Sequence, residues 1–302
     1  MALRIVPASD PLPVENIVLT IYAAPGLGKS SLSFTADKPL MLDFDRGSYR
    51  AATRGDSVPV SSWADVASMT AEDLAPYSTI ILDTAGRALD ALASDIIAGN
   101  PKAGRGDGSL TLQGYGTLKS RFAQWQSFLR SLKKDLVIVC HMDEQKNGDE
   151  TQERIDAQGA SRNEIYKSSD AMCRIRLDSK DARYLDFDPR QGGFGKNPAQ
   201  LPKIAFPNPH ENPRVLAEVI DQIKTSINAM TEGQAAARAE REGWEMEFVV
   251  ADGIEKFNER IVPRMKERGG LYLQLAASVA KDRGWKADKA TGQYVAPEEA
   301  AA

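Results

Sequence analysis

Ala23-Ala-Pro-Gly-Leu-Gly-Lys-Ser30 is the stretch on which the fold of this chain turns. It has the spacing Gly-x-x-x-x-Gly-Lys-Ser/Thr of a phosphate-binding loop, with Ala23 in place of the first glycine. A methyl group is tolerated where the loop leaves its strand. Gly28, in contrast, is needed where backbone amides close around a phosphate without a Cβ. Upstream, Asn16-Ile-Val-Leu-Thr-Ile-Tyr22 is a short β-branched apolar run that reads as a buried strand, and a helix is expected from about Lys29. A strand, a glycine loop and a helix in that order make Ala24, Pro25, Gly26, Leu27, Gly28, Lys29, Ser30 and Ser31 the expected nucleotide-binding segment. There Lys29 meets the β- and γ-phosphates, Ser30 ligates Mg2+, and the helix N-terminus adds partial positive charge.

Outward from the loop, Lys38-Pro-Leu-Met-Leu-Asp43 and Thr79-Ile-Ile-Leu-Asp83 read as strands ending on aspartates, and Leu136-Val-Ile-Val-Cys140 as a fourth strand. Ser62-Trp-Ala-Asp65 has the spacing of a capping box before a helix. Arg87 to Ile97 and Leu118 to Leu132 carry apolar residues at helical spacing. Strands alternating with helices imply a mostly parallel sheet covered on both faces, with the strand ends, and hence the ligand, at one edge. Beyond residue 170, Ala171-Met-Cys-Arg-Ile-Arg-Leu177 and Ala182-Arg-Tyr-Leu-Asp-Phe187 flank a polar turn and predict an antiparallel hairpin. The stretch 189–213 reads as a loop. From Arg214, the residues Leu216, Val219, Ile220, Ile223, Ile227 and Met230 mark one face of a helix that closes the core. The expected division is a core over 1–230 and a small helical appendage over 231–302, with a helix near Leu271 to Lys281.

The 302 residues, 42% hydrophobic and 26% charged, have a globular profile that excludes a predominantly disordered chain. No run approaches the ~20 apolar residues of a membrane helix, and Met1 to Asp10 lacks the apolar stretch of a signal peptide. A cytoplasmic protein with no membrane partner is expected. Cys140 and Cys173 lie outside any Cys-x-x-Cys pattern and read as small core residues. A net charge of −4 argues against a surface that binds nucleic acid everywhere. It leaves room for a local patch: from Lys102 to Arg121, Lys102, Arg105, Lys119 and Arg121 face Asp107 alone, in a glycine-rich stretch. From Asp143 to Glu164, seven acids stand against three bases.

Asp83 ends its apolar strand 54 residues beyond Lys29, the place of a second Mg2+-supporting carboxylate; the competing reading is a cap for a helix starting near Thr84. Asp43 and Asp45 alternate after the second strand and so share one side of an extended chain. A carboxylate there orients the attacking water, with Asp45 the choice and Asp43 the alternative; the competing reading is that both solvate a turn before Arg46-Gly47. His141 follows the fourth strand at the same edge, either sensing the γ-phosphate or serving as a hydrogen-bonded surface residue. His141 and His210 lack metal-ligand spacing and give no case for a metal beyond Mg2+.

Together, Ala23-x-x-x-x-Gly28-Lys29-Ser30, Asp43-Phe-Asp45, Ile80-Ile-Leu-Asp83 and Val139-Cys-His141 resemble the RecA-like P-loop ATPases. Within them the look-alikes are phage-encoded AAA-type ATP-binding proteins, including the RecA-like single-strand annealing recombinases of phages. The resemblance covers about residues 15–230. It implies an α/β RecA-like P-loop NTPase fold: a mostly parallel central sheet flanked by helices, an antiparallel hairpin and a small C-terminal helical appendage. It also implies ATP and Mg2+ as cofactors, ATP hydrolysis, and catalytic roles for Lys29, Asp45, Asp83 and His141. RecA itself has glutamate where Asp45 stands and glutamine where His141 stands.

By the same resemblance the partners are single-stranded DNA, further copies of the chain in a homo-oligomer or filament with ATP at the interfaces, and a single-strand-binding protein, all in a bacterial host cytoplasm. Two loops then face DNA: one around Gly99 to Gly116 with Lys102, Arg105 and Tyr115, and one around Asp143 to Lys167. Composition supports the first only. Arg174 and Arg176 alternate on one hairpin face, toward DNA or a neighbour's phosphates, or, as is commoner for a basic stripe on a strand, as a solvated face. The expected function is an ATP-dependent DNA recombination protein that promotes annealing or strand pairing. The alternatives are an AAA-type remodelling ATPase and a nucleotide-binding regulatory or assembly protein without DNA activity.

Overall fold

A computed structural model of the protein describes residues 6–7, 10–147, 150–157, 159–189, 193–251 and 253–296. The chain runs through β1 (Val18–Ala23), α1 (Lys29–Ser33), β2 (Pro39–Asp43), β3 (Asp56–Pro59), α2 (Trp63–Ala67), α3 (Ala71–Leu74), β4 (Thr79–Asp83), α4 (Ala85–Gly99) and α5 (Leu112–Ser131). Next come β5 (Asp135–Asn147), β6 (Glu150–Ile155), α6 (Gly159–Ser168), β7 (Ala171–Leu177), β8 (Arg183–Asp186), β9 (Ile204–Ala205) and α7 (Val215–Val250). The last elements are α8 (Ile254–Arg260), α9 (Val262–Arg268), α10 (Gly270–Asp282), β10 (Lys286–Ala287) and β11 (Tyr294–Val295). They form two compact units, one of residues 14–227 and one of residues 1–13 and 228–302.

In the first unit a nine-stranded sheet runs β3-β2-β4-β5-β1-β7-β8-β9, with β6 joined to β5 off this path. The strands from β3 to β7 are parallel, while β8, β9 and β6 pair antiparallel. Side chains alternate along each strand, so one set faces each layer. Tyr22, Leu42, Ile80, Leu82, Ile138 and Cys140 face one layer, where they pack with Trp63, Phe122 and Trp125. Ile21, Met41, Ile81, Val137, Val139 and Cys173 face the other, where they meet Leu32, Leu216, Val219, Ile220 and Ile223. Burial on both faces explains why these strands read as unbroken apolar runs. The aromatic rings of Trp63, Phe122 and Trp125 lie 5.7 to 6.4 Å apart at their centroids.

Several elements depart from the sequence expectation. β3 was not foreseen, because Asp56-Ser-Val-Pro59 is a short edge strand with little apolar content. α5 begins at Leu112, six residues before the apolar spacing does, since Gly114 and Gly116 mask its first turns. Gly114 is required there: a Cβ would lie 2.6 Å from the Ala103 carbonyl oxygen. The expected loop from Asp143 to Lys167 is instead the outer half of β5, β6 and α6; residues 148–149 and 158 lie outside the described residues. The pairing is anchored where the ribbon meets the core, with Ile155 buried and Met142 packed beside it. The 189–213 stretch contains β9 and is tied to β7 by a Met172–Lys196 bridge; residues 190–192 lie outside the described ones. Met230, placed on the apolar face of α7, is exposed.

The second unit has its own core, in which Phe257 packs edge-on against Trp285 and Tyr294, and Tyr272 against Trp244. Arg283 donates to the carbonyls of Phe248 and Ala251, satisfying free acceptors at the end of α7. Among the described residues no helix is long and apolar enough to cross a membrane. Phe122 is fully buried in the first unit. Phe122→Ala is expected to lower the unfolding free energy by about 3–5 kcal/mol, read by urea denaturation; a change under about 1 kcal/mol contradicts the packing described.

Candidate active site

Parallel pairing brings the C-terminal ends of β1, β4 and β2, and the midpoint of β5, to one edge. Ala23 lies opposite His141, Val139 opposite Asp83, and Asp83 opposite Asp43. The loop after β1 turns back at two left-handed glycines, Gly26 with φ 83° and Gly28 with φ 88°, and α1 starts at Lys29. An L-side chain is disfavoured at both positions, so the glycines set the shape of the loop. A cleft of about 590 Å³ opens here, lined by Pro25, Gly26, Gly28, Lys29, Ser30 and Ser31, together with Asp45, Asp83, Thr84, His141 and Arg183.

Of the expected binding segment, six residues therefore line the cleft. Leu27 packs into the apolar layer instead, and Ala24 turns its carbonyl to Lys29. Because α1 is only five residues long, its dipole adds less than the sequence implies. The loop amides and Lys29 carry the positive character. Lys29 is buried, and its Nζ donates to the carbonyls of Ala23 and Ala24, each at 3.0 Å. Burial pulls this ammonium below its usual range, opposed mainly by the nearby Asp83.

Ser30 Oγ donates to Asp83 Oδ2 at 2.5 Å. Burial pushes the Asp83 carboxyl above its ordinary value; the Ser30 hydrogen bond opposes that, and Asp45 and Asp43 add to it. A hydroxyl and a carboxylate meeting at one point beneath a glycine loop are hard oxygen donors, the set Mg2+ takes through one or two protein groups. The residues present fit that ion. Thr84 holds the N-cap position of α4 without a side-chain capping hydrogen bond, and Asp83 stands one residue before it with its carboxylate engaged by Ser30 rather than by a helix amide.

Asp43 and Asp45 take different surroundings, because the chain leaves the extended conformation after β2 and bends from residue 44 on. Asp43 is buried and accepts the amides of Gly47 and Ser48 at 3.0 and 2.8 Å, which occupies it with the turn. Asp45 points into the cleft. Its Oδ2 lies 3.3 Å from His141 Nε2 and accepts from Thr84 Oγ1 at 3.3 Å, with Arg87 at 3.7 Å. The His141 hydrogen bond is the chief reason the Asp45 carboxyl sits below its usual range. A second cleft of about 470 Å³ shares Asp45, Arg50, Thr84 and His141 with the first and extends toward Asp90 and Asp156.

The other expected contacts lie elsewhere. Lys102 and Arg105 are exposed on a short helical turn and the bend after it, away from the residues lining the cleft. Tyr115 is half-buried on α5, against the apolar layer. Arg174 is buried and pairs with Asp186 at 3.2 Å and Glu153 at 3.6 Å, and Arg176 also pairs with Glu153. The expectation that these two arginines face DNA or a neighbour is therefore corrected: β6 brings a carboxylate onto them. Thr84, Arg50 and Arg183 escaped the sequence reading. Thr84 adjoins Asp83, but nothing local marks Arg183, which reaches the loop only through the β1-β7-β8 order.

The raised Asp83 carboxyl has a thermal consequence. It holds its proton to higher pH folded than unfolded, so the folded state loses stability as pH rises from the ordinary carboxyl value through the folded one. Asp83→Asn carries no such charge. It is expected to raise the melting temperature of the ligand-free protein at about pH 7, with the gain shrinking toward about pH 4. Melting curves across that range check this, and a lower midpoint at neutral pH contradicts it.

Comparison with known families agrees with the geometry. Residues 15–199, more than half of the chain, match the family described as AAA domain. No match to a curated protein was found. The match spans the glycine loop, the strand ends that carry Asp83 and His141, and the hairpin of Arg183, and the chain belongs to the AAA domain family.

Proposed function

We propose that this AAA domain protein binds and hydrolyses ATP with Mg2+ and uses that cycle to act on single-stranded DNA as a recombination protein, promoting annealing or strand pairing. The observation that carries the nucleotide part is the Ser30–Asp83 pair beside buried Lys29, with Asp45 held by His141 across the same cleft. When bound, Mg2+ supplies charge neutralisation at the phosphates, and Ser30 and Asp83 are the groups that hold it. Lys29 moves its ammonium from the loop carbonyls to phosphate oxygens. Asp45, kept ionised by its partners, accepts a hydrogen bond from water and aims its oxygen at the terminal phosphate. His141 touches Asp45 and begins the outer half of β5, so it links the cleft to the β5–β6 ribbon.

Support for DNA comes from exposed Lys102 and Arg105 in a glycine-rich segment and from the resemblance to phage RecA-like annealing recombinases. In this reading copies of the chain assemble on the strand with ATP between them, alongside a single-strand-binding protein, in the cytoplasm. One observation favours a second reading, a slow nucleotide-dependent regulatory or assembly protein: Asp45 is engaged by both His141 and Thr84.

Steady-state ATP turnover with and without single-stranded DNA separates the readings. A marked rate increase is expected on adding DNA; turnover without stimulation points to remodelling of another polymer, and no turnover to regulation. Lys29→Ala is expected to abolish nucleotide binding, and Asp45→Asn to lower kcat by about 10²–10⁴-fold with little change in affinity. Changing Lys102 and Arg105 together to alanine is expected to reduce the slope of log affinity against log salt by about 1.4 on single strands. An unchanged slope removes that segment from the DNA contact.

A further inference from the structure

Charge is not spread evenly along this chain. Between Ile254 and Ala296 nine bases stand against five acids, although the whole chain carries a net charge of −4. In this stretch α8, α9 and α10 surround the core of Phe257, Met265 and Tyr272. α9 passes into α10 through Gly269 and Gly270, with φ 55° and 46°, so a helix, a tight glycine turn and a second helix of 13 residues follow one another. Tyr272, Ala276 and Ala280 are the buried side of α10. Gln274, Ala277, Ser278 and Lys281 lie on the opposite side at helical spacing, and all four are exposed. β10 continues directly from this helix, since the Trp285 amide donates to the Ala280 carbonyl at 2.9 Å. The β10–β11 hairpin is held down firmly. Trp285 and Tyr294 meet Phe257 edge-on with centroids 5.3 and 5.5 Å away, and Asn258 exchanges two hydrogen bonds with the Tyr294 backbone. Alternation along β10 turns Lys286 away from the side of Trp285, and Lys289 is exposed on the turn between the strands.

Some of these bases are already satisfied. Arg264 and Arg268 meet Glu247 at 2.9 and 3.4 Å, and Arg283 donates to two carbonyls of α7. Lys281, Lys286 and Lys289 differ: among the described residues none of them has a carboxylate within ion-pair distance. Asp288, between the last two, spends its carboxylate on the Ala290 amide and the Thr291 hydroxyl at 2.9 and 2.7 Å. Asp282 sits about 100° round the helix from Lys281, to the side of the exposed face. A helix presented after a tight turn fits the major groove of B-form DNA, which is ~12 Å wide, and a rigid hairpin beside it reaches the flanking backbone. We propose that the outer face of α10 and the β10–β11 hairpin form a binding site for double-stranded DNA, with α10 in the major groove and Lys281, Lys286 and Lys289 on backbone phosphates. Gln274 meets base edges there, its amide offering both a donor and an acceptor. This goes beyond the proposed action on single strands and does not rest on the nucleotide reading, because the surface belongs to the second unit alone. The groove also sets the choice of ligand. The major groove of an RNA duplex is too deep and narrow for a helix, and a single strand has no groove at all.

The test titrates the full-length protein, without nucleotide, into a short labelled DNA duplex, the matching RNA duplex and one DNA strand alone, read by fluorescence anisotropy. The unaltered protein is expected to bind the DNA duplex at least ~10-fold more tightly than the RNA duplex. Changing Lys281, Lys286 and Lys289 together to alanine is expected to weaken the DNA duplex at least ~10-fold and to reduce the slope of log affinity against log salt by about 2.7. Ala277→Glu places a carboxylate in the middle of the exposed face, and a comparable loss is expected with an unchanged melting temperature. The lysine variant carries the test should Ala277→Glu fail to fold. Single-strand affinity is expected to stay as it was in both. Failure of the unaltered protein to bind the DNA duplex, or undiminished binding by both variants, overturns the site. Equal affinity for the two duplexes, or an equal loss on single strands, overturns the groove assignment. Lys29→Ala is expected to bind the DNA duplex normally, and loss there overturns the independence of this surface from the cleft. If the unaltered protein binds no ATP yet binds the duplex, the nucleotide reading fails and this one stands.

Discussion

The 2.5 Å hydrogen bond from Ser30 to Asp83 joins the first turn of α1 to the end of β4, across the intervening strand β5. It depends on β1 and β4 ending at the same edge, on either side of β5, and on the loop after β1 folding back over that edge. Asp83 is buried with two further carboxylates close by, so its charge is costly in the absence of a cation. Lys29 offsets part of that cost, yet it too is withdrawn from water. The edge is an arrangement of buried charges that only partly offset one another. Such stored electrostatic strain is common where binding, rather than folding, completes a set of interactions.

How much of this is legible in the sequence follows from the range of each signal. The glycine loop, the strands ending at Asp43 and Asp83, the capping box spacing at Ser62 and the hairpin after residue 170 are local patterns, and they appear where the sequence puts them. Asp65 accepts the amides of Ser61 and Ser62, as that spacing requires. Edge strand β3 and the first turns of α5 are less legible, since one lacks apolar residues and the other is diluted by glycine. The roles of Asp43 and Asp45 part company at a bend that alternation does not reveal. Arg174 and Arg176 differ most from their sequence reading. Their partners come from β6 and β8, and only long-range topology brings those carboxylates onto them.

The two apolar layers explain why this edge holds its shape. Residues of one parity on each strand enter the layer with Trp63, Phe122 and Trp125, and those of the other parity meet α1 and α7. The strands are thus clamped from both sides, and the polar groups of the cleft stand at the strand ends, clear of both layers. Buried Arg174 performs a related task beyond the cleft. By engaging Asp186, Glu153 and the Asp188 carbonyl it fastens β6, β7 and the end of β8 in one cluster.

β5 spans 13 residues without interruption, a reach of roughly 40 Å, and His141 lies near its midpoint. Its inner half is locked between β1 and β4, while its outer half leaves the sheet with β6 as companion. That outer half is moored: Glu153 of β6 is held by Arg174 and Arg176 of β7, so the strand that passes the imidazole is anchored on both sides of it, and the cleft shares one continuous backbone with the arginine cluster of the hairpin.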